Sequence, residues 1–136
     1  MSVMKLLIRS LIALCLAMTI FPCHADKEKK NYAYFGFEPD IITNYINNKP
    51  KPGFIRVTAE LMLEDLSYLP VVEHHSPLLR DAIVDILSKE TEDKVKSLVG
   101  REKIRKKCVE RVQKLMKEET GTKMIKDILF TKYLYH

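Results

Sequence analysis

The sequence predicts an α+β fold in which an antiparallel sheet packs against two to three helices. Three patterns favour it. The residues Ile55 to Leu63 alternate in the pattern of a half-buried strand, the apolar period changes from two to about 3.6 after Leu69, and residues 124–135 are again rich in β-branched and aromatic side chains. Because strands come first, helices follow and a strand closes the chain, the last strand is expected to rejoin the sheet begun by the first strands.

The first part of the chain predicts three strands. Residues 32–37 are aromatic-rich and stop before Pro39, which interrupts strand pairing. A second β-prone run covers 41–46, and a loop rich in Asn, Lys, Pro and Gly follows over 47–53. The third strand is the most regular, and its alternation predicts one buried face made of Ile55, Val57, Ala59, Leu61 and Leu63.

Two helices are predicted next. Ser76 is a good N-cap and Pro77 fits the first helical position, so a helix is expected from there to about Lys89. Its apolar face consists of Leu79, Ile83, Ile86 and Leu87. Thr91 is expected to cap a second, short helix whose first turn carries two carboxylates near the positive end of the helix dipole.

Gly100 allows a break or a bend before the longest helix, which is expected over 101–119. Its apolar stripe consists of Ile104, Cys108, Val112, Leu115 and Met116. The opposite side is a predicted interaction face, which we call the lysine face: Lys103, Lys106, Lys107, Lys114 and Lys117. Glu102 with Lys106 and Glu110 with Lys114 are spaced as favourable ion pairs on this helix.

The charge distribution is uneven, although the whole chain carries only +5. Residues 32–100 hold 7 bases and 11 acids, whereas residues 101–136 hold 11 bases and 5 acids. A basic face of this kind suits nucleic acid, anionic lipid or an acidic protein surface, and it also suits plain solvation of an amphipathic helix. Nucleic acid is excluded because the domain is predicted to be exported and the lysine face has no interleaved aromatic residues.

The N-terminal segment has the three parts of a secretory signal peptide, namely a basic start, an apolar run over 10–21 and small residues before a cut. Cleavage between Ala25 and Asp26 would divide the chain into a signal peptide, 1–25, and a single domain, 26–136. The alternative is an uncleaved membrane anchor over 6–23, with Arg9 near the cytoplasmic edge. Both alternatives export the domain.

No pattern for catalysis or cofactor binding is present. The four glycines are too scattered for a phosphate-binding loop, no serine elbow occurs, and His74 and His75 are adjacent, so they cannot both ligate one ion from regular structure. We therefore expect a protein that is not an enzyme and has no cofactor or metal, with a hydrolase as the least favoured class. After cleavage only Cys108 would remain, which excludes an internal disulfide and favours a buried, inert thiol.

Five segments, taken in order, resemble the periplasmic domain of the flagellar basal-body protein family FliL. They are an aromatic strand leading into Glu38-Pro39 and 41–44, the alternating strand 54–61, the helical start 77–83, the glycine-led segment 98–105 and the closing segment 125–134. The resemblance implies a fold similar to the stomatin/prohibitin (SPFH) domain and no catalytic site. It also implies rings around the stator units that support torque and swarming.

The resemblance therefore predicts a non-enzymatic accessory protein of the flagellar motor, placed in the periplasm at the outer face of the inner membrane. Its expected partners are stator or basal-body proteins and further copies of itself in a ring, with contact to the inner-membrane surface as an additional expectation. Family members have a transmembrane anchor and a longer linker, whereas here the signal-like segment runs almost directly into the first strand. The alternative is a small exported adaptor or binding module of the same fold with no flagellar role.

Overall fold

The computed structural model describes Met1, residues 3–5 and residues 30–136. Apart from Met1 and residues 3–5, the predicted signal segment lies outside the described residues, as does the cleavage site at Ala25 and Asp26, so both stay predictions. Among the helices within the described residues, none is both long enough and apolar enough to cross a membrane.

The chain forms a four-stranded antiparallel sheet with helices on one face, which confirms the predicted fold class. In chain order the elements are β1 (Ala33–Gly36), β2 (Ile41–Tyr45), β3 (Gly53–Leu63), a 3-10 turn (Leu66–Tyr68), α1 (Leu69–Ser88), α2 (Glu92–Lys96), α3 (Leu98–Thr120) and β4 (Ile125–Tyr135). Strand β3 is central: β1 and β2 pair with the two ends of one edge, and β4 pairs along the other edge. The last strand therefore rejoins the sheet, as the element order predicted.

The core lies between the sheet and the helices. The alternating side chains predicted to be buried on β3, from Ile55 to Leu63, are all fully buried. They meet the apolar stripe of α3, which is buried as predicted. Helix α1 packs against β1 and β2, whereas α3 packs against β4 and α1. The two long helices therefore lie side by side, each over a different edge of the sheet.

The predicted start of the first long helix is wrong. Helix α1 begins at Leu69, takes Pro70 in its first turn and contains Pro77 in its interior. An interior proline lacks the N–H donor and crowds the carbonyl four residues earlier, which costs about 3 kcal/mol. The extra turns bury Val72 completely against the core, and burying such a side chain offsets much of that cost, about 1.5 to 3 kcal/mol.

Gly100 lies inside a continuous helix rather than at a break. Helix α3 starts two residues before Gly100, and the Ser97 side chain caps it by accepting a 3.0 Å hydrogen bond from the Gly100 N–H. The glycine instead permits close packing, because a Cβ built there would lie 2.6 Å from the Lys94 Cα. Because Gly100 has no side chain, the first turn of α3 can approach the backbone of α2.

Cys108 is fully buried, and burial raises the pKa of its thiol to about 12. We therefore expect a thiol reagent at pH 8 to label Cys108 at least about a hundredfold more slowly in the native protein than in denaturant, since the thiolate is the reactive species. Peptide-level mass spectrometry separates this label from label on Cys15 or Cys23. Equal rates in native and unfolded protein would contradict the buried position.

Candidate interaction surfaces

The lysine face of α3 is exposed at all five positions. Within residues 30–136, Lys103 and Lys117 have no carboxylate within 4.0 Å. Lys106 lies 4.0 Å from Glu102, as its spacing predicted. Lys114 lies 3.8 Å from Glu118, and no ion pair with Glu110 forms in the described part of the chain, so that predicted pair is wrong.

Lys107 differs from the other four because its ammonium group is bonded to Glu90. Glu90 lies just after α1 and is only 4% exposed. Its second carboxylate oxygen, Oε2, lies 3.2 Å from the Lys94 Nζ. The backbone of Glu90 also accepts a 2.9 Å hydrogen bond from the Ile46 N–H. One buried carboxylate therefore connects α2 and α3 beside the end of β2, and Lys107 contributes to the fold rather than to a free basic surface.

Glu90 is ionised despite its burial. Burial by itself would raise the pKa of this carboxyl, but hydrogen bonds from Lys107 and Lys94 outweigh it and hold the pKa below its usual value. The sequence offered no local signal for this role, because Glu90 and Lys107 are 17 residues apart.

Side chains of α3 also cover the free edge of β4. Arg101 donates to the Phe130 carbonyl at 3.2 Å, Arg105 donates to the Ile128 carbonyl at 3.3 Å, and Gln113 donates to the Ile125 carbonyl at 2.8 Å. These bonds satisfy carbonyls that an edge strand would otherwise leave open to another chain. They also fix the rotation of α3, so its lysine face points away from the sheet.

Arg105 and Asp127 form an ion pair across this helix–strand contact. Arg105 is bonded to Asp127 and also donates to Glu102 at 2.6 Å. The hydrogen bond to Glu102 and the charge of Asp127 raise the pKa of the guanidinium, and Arg105 lowers the pKa of Glu102. Asp127 additionally accepts a 2.8 Å bond from the Ile128 N–H.

The solvent side of α1 is acidic. The helix carries three carboxylates and one arginine, and its three carboxylate residues are exposed: Glu73, Asp81 and Asp85. Asp85 pairs with Lys89 at 2.5 Å. Arg80 turns inward, where it donates to the Pro39 carbonyl at 2.7 Å and lies over the Phe37 ring, 5.4 Å from its centroid. The outer surface of α1 therefore presents Glu73 and Asp81, which have no ion-pair partner within residues 30–136.

The acidic α1 and the basic α3 lie side by side, each over a different edge of the sheet. Helix α3 contacts β4 at one sheet edge, and α1 contacts β1 and β2 at the other. Helix α3 alone carries eight bases and four acids. The uneven charge seen in the sequence is thus a lateral polarity of the fold.

The two adjacent histidines lie within α1. One ring nitrogen of His75 lies 2.8 Å from the Val71 carbonyl, one helical turn earlier. Within the described residues, no three His, Cys, Asp or Glu side chains form a group that could hold a metal ion.

Comparison with known proteins identifies a family and a relative of this chain. The family model described as "Flagellar basal body-associated protein FliL" matches residues 34–135, which is most of the chain. A relative named "Flagellar protein FliL", from Aquifex aeolicus (strain VF5), is 22% identical over 100 residues. That match covers 74% of this chain and 59% of the relative, so the chain spans less than two thirds of the relative's length.

Proposed function

Because the chain belongs to the FliL family of flagellar basal body-associated proteins, we propose that it is an exported accessory protein of the flagellar motor. In this proposal it acts in the periplasm, at the outer face of the inner membrane, and supports the stator units through protein–protein contacts. It performs no catalysis and needs no cofactor.

The observation that carries the mechanism is the lateral polarity of the domain. The basic side at α3 of one copy can meet the acidic side at α1 of the next, because the two surfaces differ in sign and lie at opposite sheet edges. Such a contact is heterologous, and repeated with a closing rotation it forms a ring. The same lysine face can alternatively meet an acidic surface of a stator protein.

We propose four lysines for such a contact. Lys107 is excluded from the free basic group because Glu90 binds it. The remaining positions are Lys103, Lys106, Lys114 and Lys117, of which Lys103 and Lys117 have no carboxylate partner among residues 30–136. Each exposed charge pair contributes only about 0 to 1 kcal/mol, so several must act together and salt must weaken the assembly.

We expect the double variant Lys103→Glu with Lys117→Glu to weaken self-association about tenfold at low salt and to reduce swarming, because it turns two attractive charges into repulsive ones. Sedimentation of the full chain at low and high salt measures the first effect, and a motility assay of the same strain measures the second. The fold should be retained, since both side chains are exposed.

The matched control is Lys51→Glu with Lys123→Glu. Both of these lysines are exposed and lie outside the three helices, and the change in net charge is identical. The control should assemble and swarm like the parent. If the α3 variant also assembles and swarms like the parent, the lysine face only solvates its helix and the proposed contact is wrong.

A further inference from the structure

The outer sheet face, meaning the side turned away from the helices, is not covered by any other element within residues 30–136. Several large apolar side chains lie on it. Ile42 is 62% exposed, Tyr34 51%, Phe54 49% and Leu134 43%. Isolated exposed apolar residues are ordinary, but a contiguous group on a flat surface marks a contact site.

The strand register makes part of this group contiguous. Ile42 on β2 and Leu134 on β4 are both paired with Arg56 on β3, so they flank it from either side. Phe54 lies two residues along β3 on the same face. Three apolar side chains therefore surround one arginine at this end of the sheet, and Tyr34 lies near the other end, paired with Met62.

The charges on this face are balanced, but only half of them are paired. The Asp40 carboxylate accepts a 2.6 Å bond from the Arg56 Nε and a 2.8 Å bond from the Thr58 hydroxyl, so that pair is satisfied within one copy. Glu60 and Lys132 point to the same face and have no ion-pair partner in the described part of the chain. Glu60 and Lys132 are therefore available for ion pairs with another molecule.

We propose that the outer sheet face binds the same face of a second copy of this chain across a two-fold axis. In a two-fold contact, if residue i meets residue j then j also meets i. Glu60 of each copy pairs with Lys132 of the other, which gives two reciprocal ion pairs, while the apolar group packs between the sheets. Sheets that pack face to face in this way lie about 10 Å apart.

Both charge and size favour a second copy as the occupant. Apart from Asp127, which Arg105 of α3 binds, the outer sheet face carries two acids and two bases, so it does not repel itself, whereas the lysine face of α3 would. The 11 residues of β3 span about 36 Å and three strand rows span about 14 Å, for roughly 500 Å² per copy. Two copies would then bury about 1,000 Å², the lower bound for a specific contact, so we expect a weak dimer.

A charge swap tests the reciprocal pairs. Glu60→Lys alone and Lys132→Glu alone should each raise the dissociation constant of the dimer about tenfold, since each places like charges opposite one another. The double variant with both changes should return to within about twofold of the parent, because the pairs form again with reversed signs. Sedimentation velocity of the full chain over a concentration series measures all four proteins.

A second pair of variants tests the apolar contact. Ile42→Lys with Leu134→Lys should abolish the dimer, whereas Leu98→Lys with Val99→Lys should leave it unchanged. Leu98 and Val99 are 83% and 68% exposed, and they lie at the start of α3, away from the outer sheet face. Circular dichroism checks that each variant is folded.

The dimer is independent of the flagellar proposal and is distinguishable from the α3 contact. It should persist in high salt and in the Lys103→Glu, Lys117→Glu variant, because apolar burial contributes most of its affinity. A parent chain that is monomeric at every concentration would overturn the inference, including the case in which another protein covers this face. Failure of the charge swap to restore association would overturn it as well.

Discussion

Gly100→Ala is expected to lower the free energy of unfolding by about 2 kcal/mol, although alanine in an open helix would raise it by up to about 1 kcal/mol. The reason is the close approach of α2 to α3. The added methyl group would lie 2.6 Å from the Lys94 Cα, and backbone atoms cannot move aside without separating the two helices. Urea unfolding followed by circular dichroism measures the change.

The matched control for Gly100 is Gly36→Ala. A Cβ at Gly36 finds only the Glu60 Cγ, at 3.9 Å, so its stability should change by no more than about 0.5 kcal/mol. If Gly100→Ala instead stabilises the protein by about 1 kcal/mol, the glycine lies in a solvated helix start, and the close contact with Lys94 does not exist.

The sequence predicted elements better than their boundaries. Alternation over β3 predicted its buried face residue by residue, because a period of two has a single interpretation when one face is polar. The stripe of α3 was equally predictable from its spacing. The start of α1 was not, since Ser76 and Pro77 form a good local start signal. Burial of Val72 extends the helix past that signal, and only the tertiary structure shows it.

The candidate surfaces were only partly predictable, because they also depend on tertiary contacts. The uneven charge along the chain was visible, but its meaning depends on which helix lies over which sheet edge. Lys107 looked like its four neighbours because spacing on one helix cannot show a partner on another element. Glu90 had no signal at all, since its burial results from three elements meeting around it. Contacts between segments that are distant in the chain therefore could not be predicted from the sequence.

Glu90→Ala is expected to lower the free energy of unfolding by about 3 kcal/mol at pH 7, because hydrogen bonds to charged groups contribute about 1.5 to 3 kcal/mol each and are not additive. The carboxylate is 4% exposed, whereas the side chains of Lys107 and Lys94 are 53% and 54% exposed. Both ammonium groups can therefore return to water when the carboxylate is removed, which keeps the loss below that of a fully buried pair.

This contribution should depend on pH in a defined direction. The pKa of Glu90 is lower in the folded protein than in the unfolded chain, so its stabilisation is present above the ordinary glutamate value of 4.5 and is lost as the pH falls through the folded value. We expect the difference in unfolding free energy between the parent and Glu90→Gln to be largest near pH 7 and to decrease steadily as the pH falls below 4.5.

A double-mutant cycle with Lys107→Met separates the ion pair from other effects of acid. The coupling energy between Glu90 and Lys107 should be about 1 kcal/mol at pH 7 and should decrease as the carboxyl is protonated in acid. The control is Glu118→Gln, since Glu118 is half exposed and 3.8 Å from Lys114, and it should change stability by less than about 0.5 kcal/mol. A coupling energy that is zero at pH 7 would mean that Lys107 is free in solution, and it would then belong with the lysine face after all.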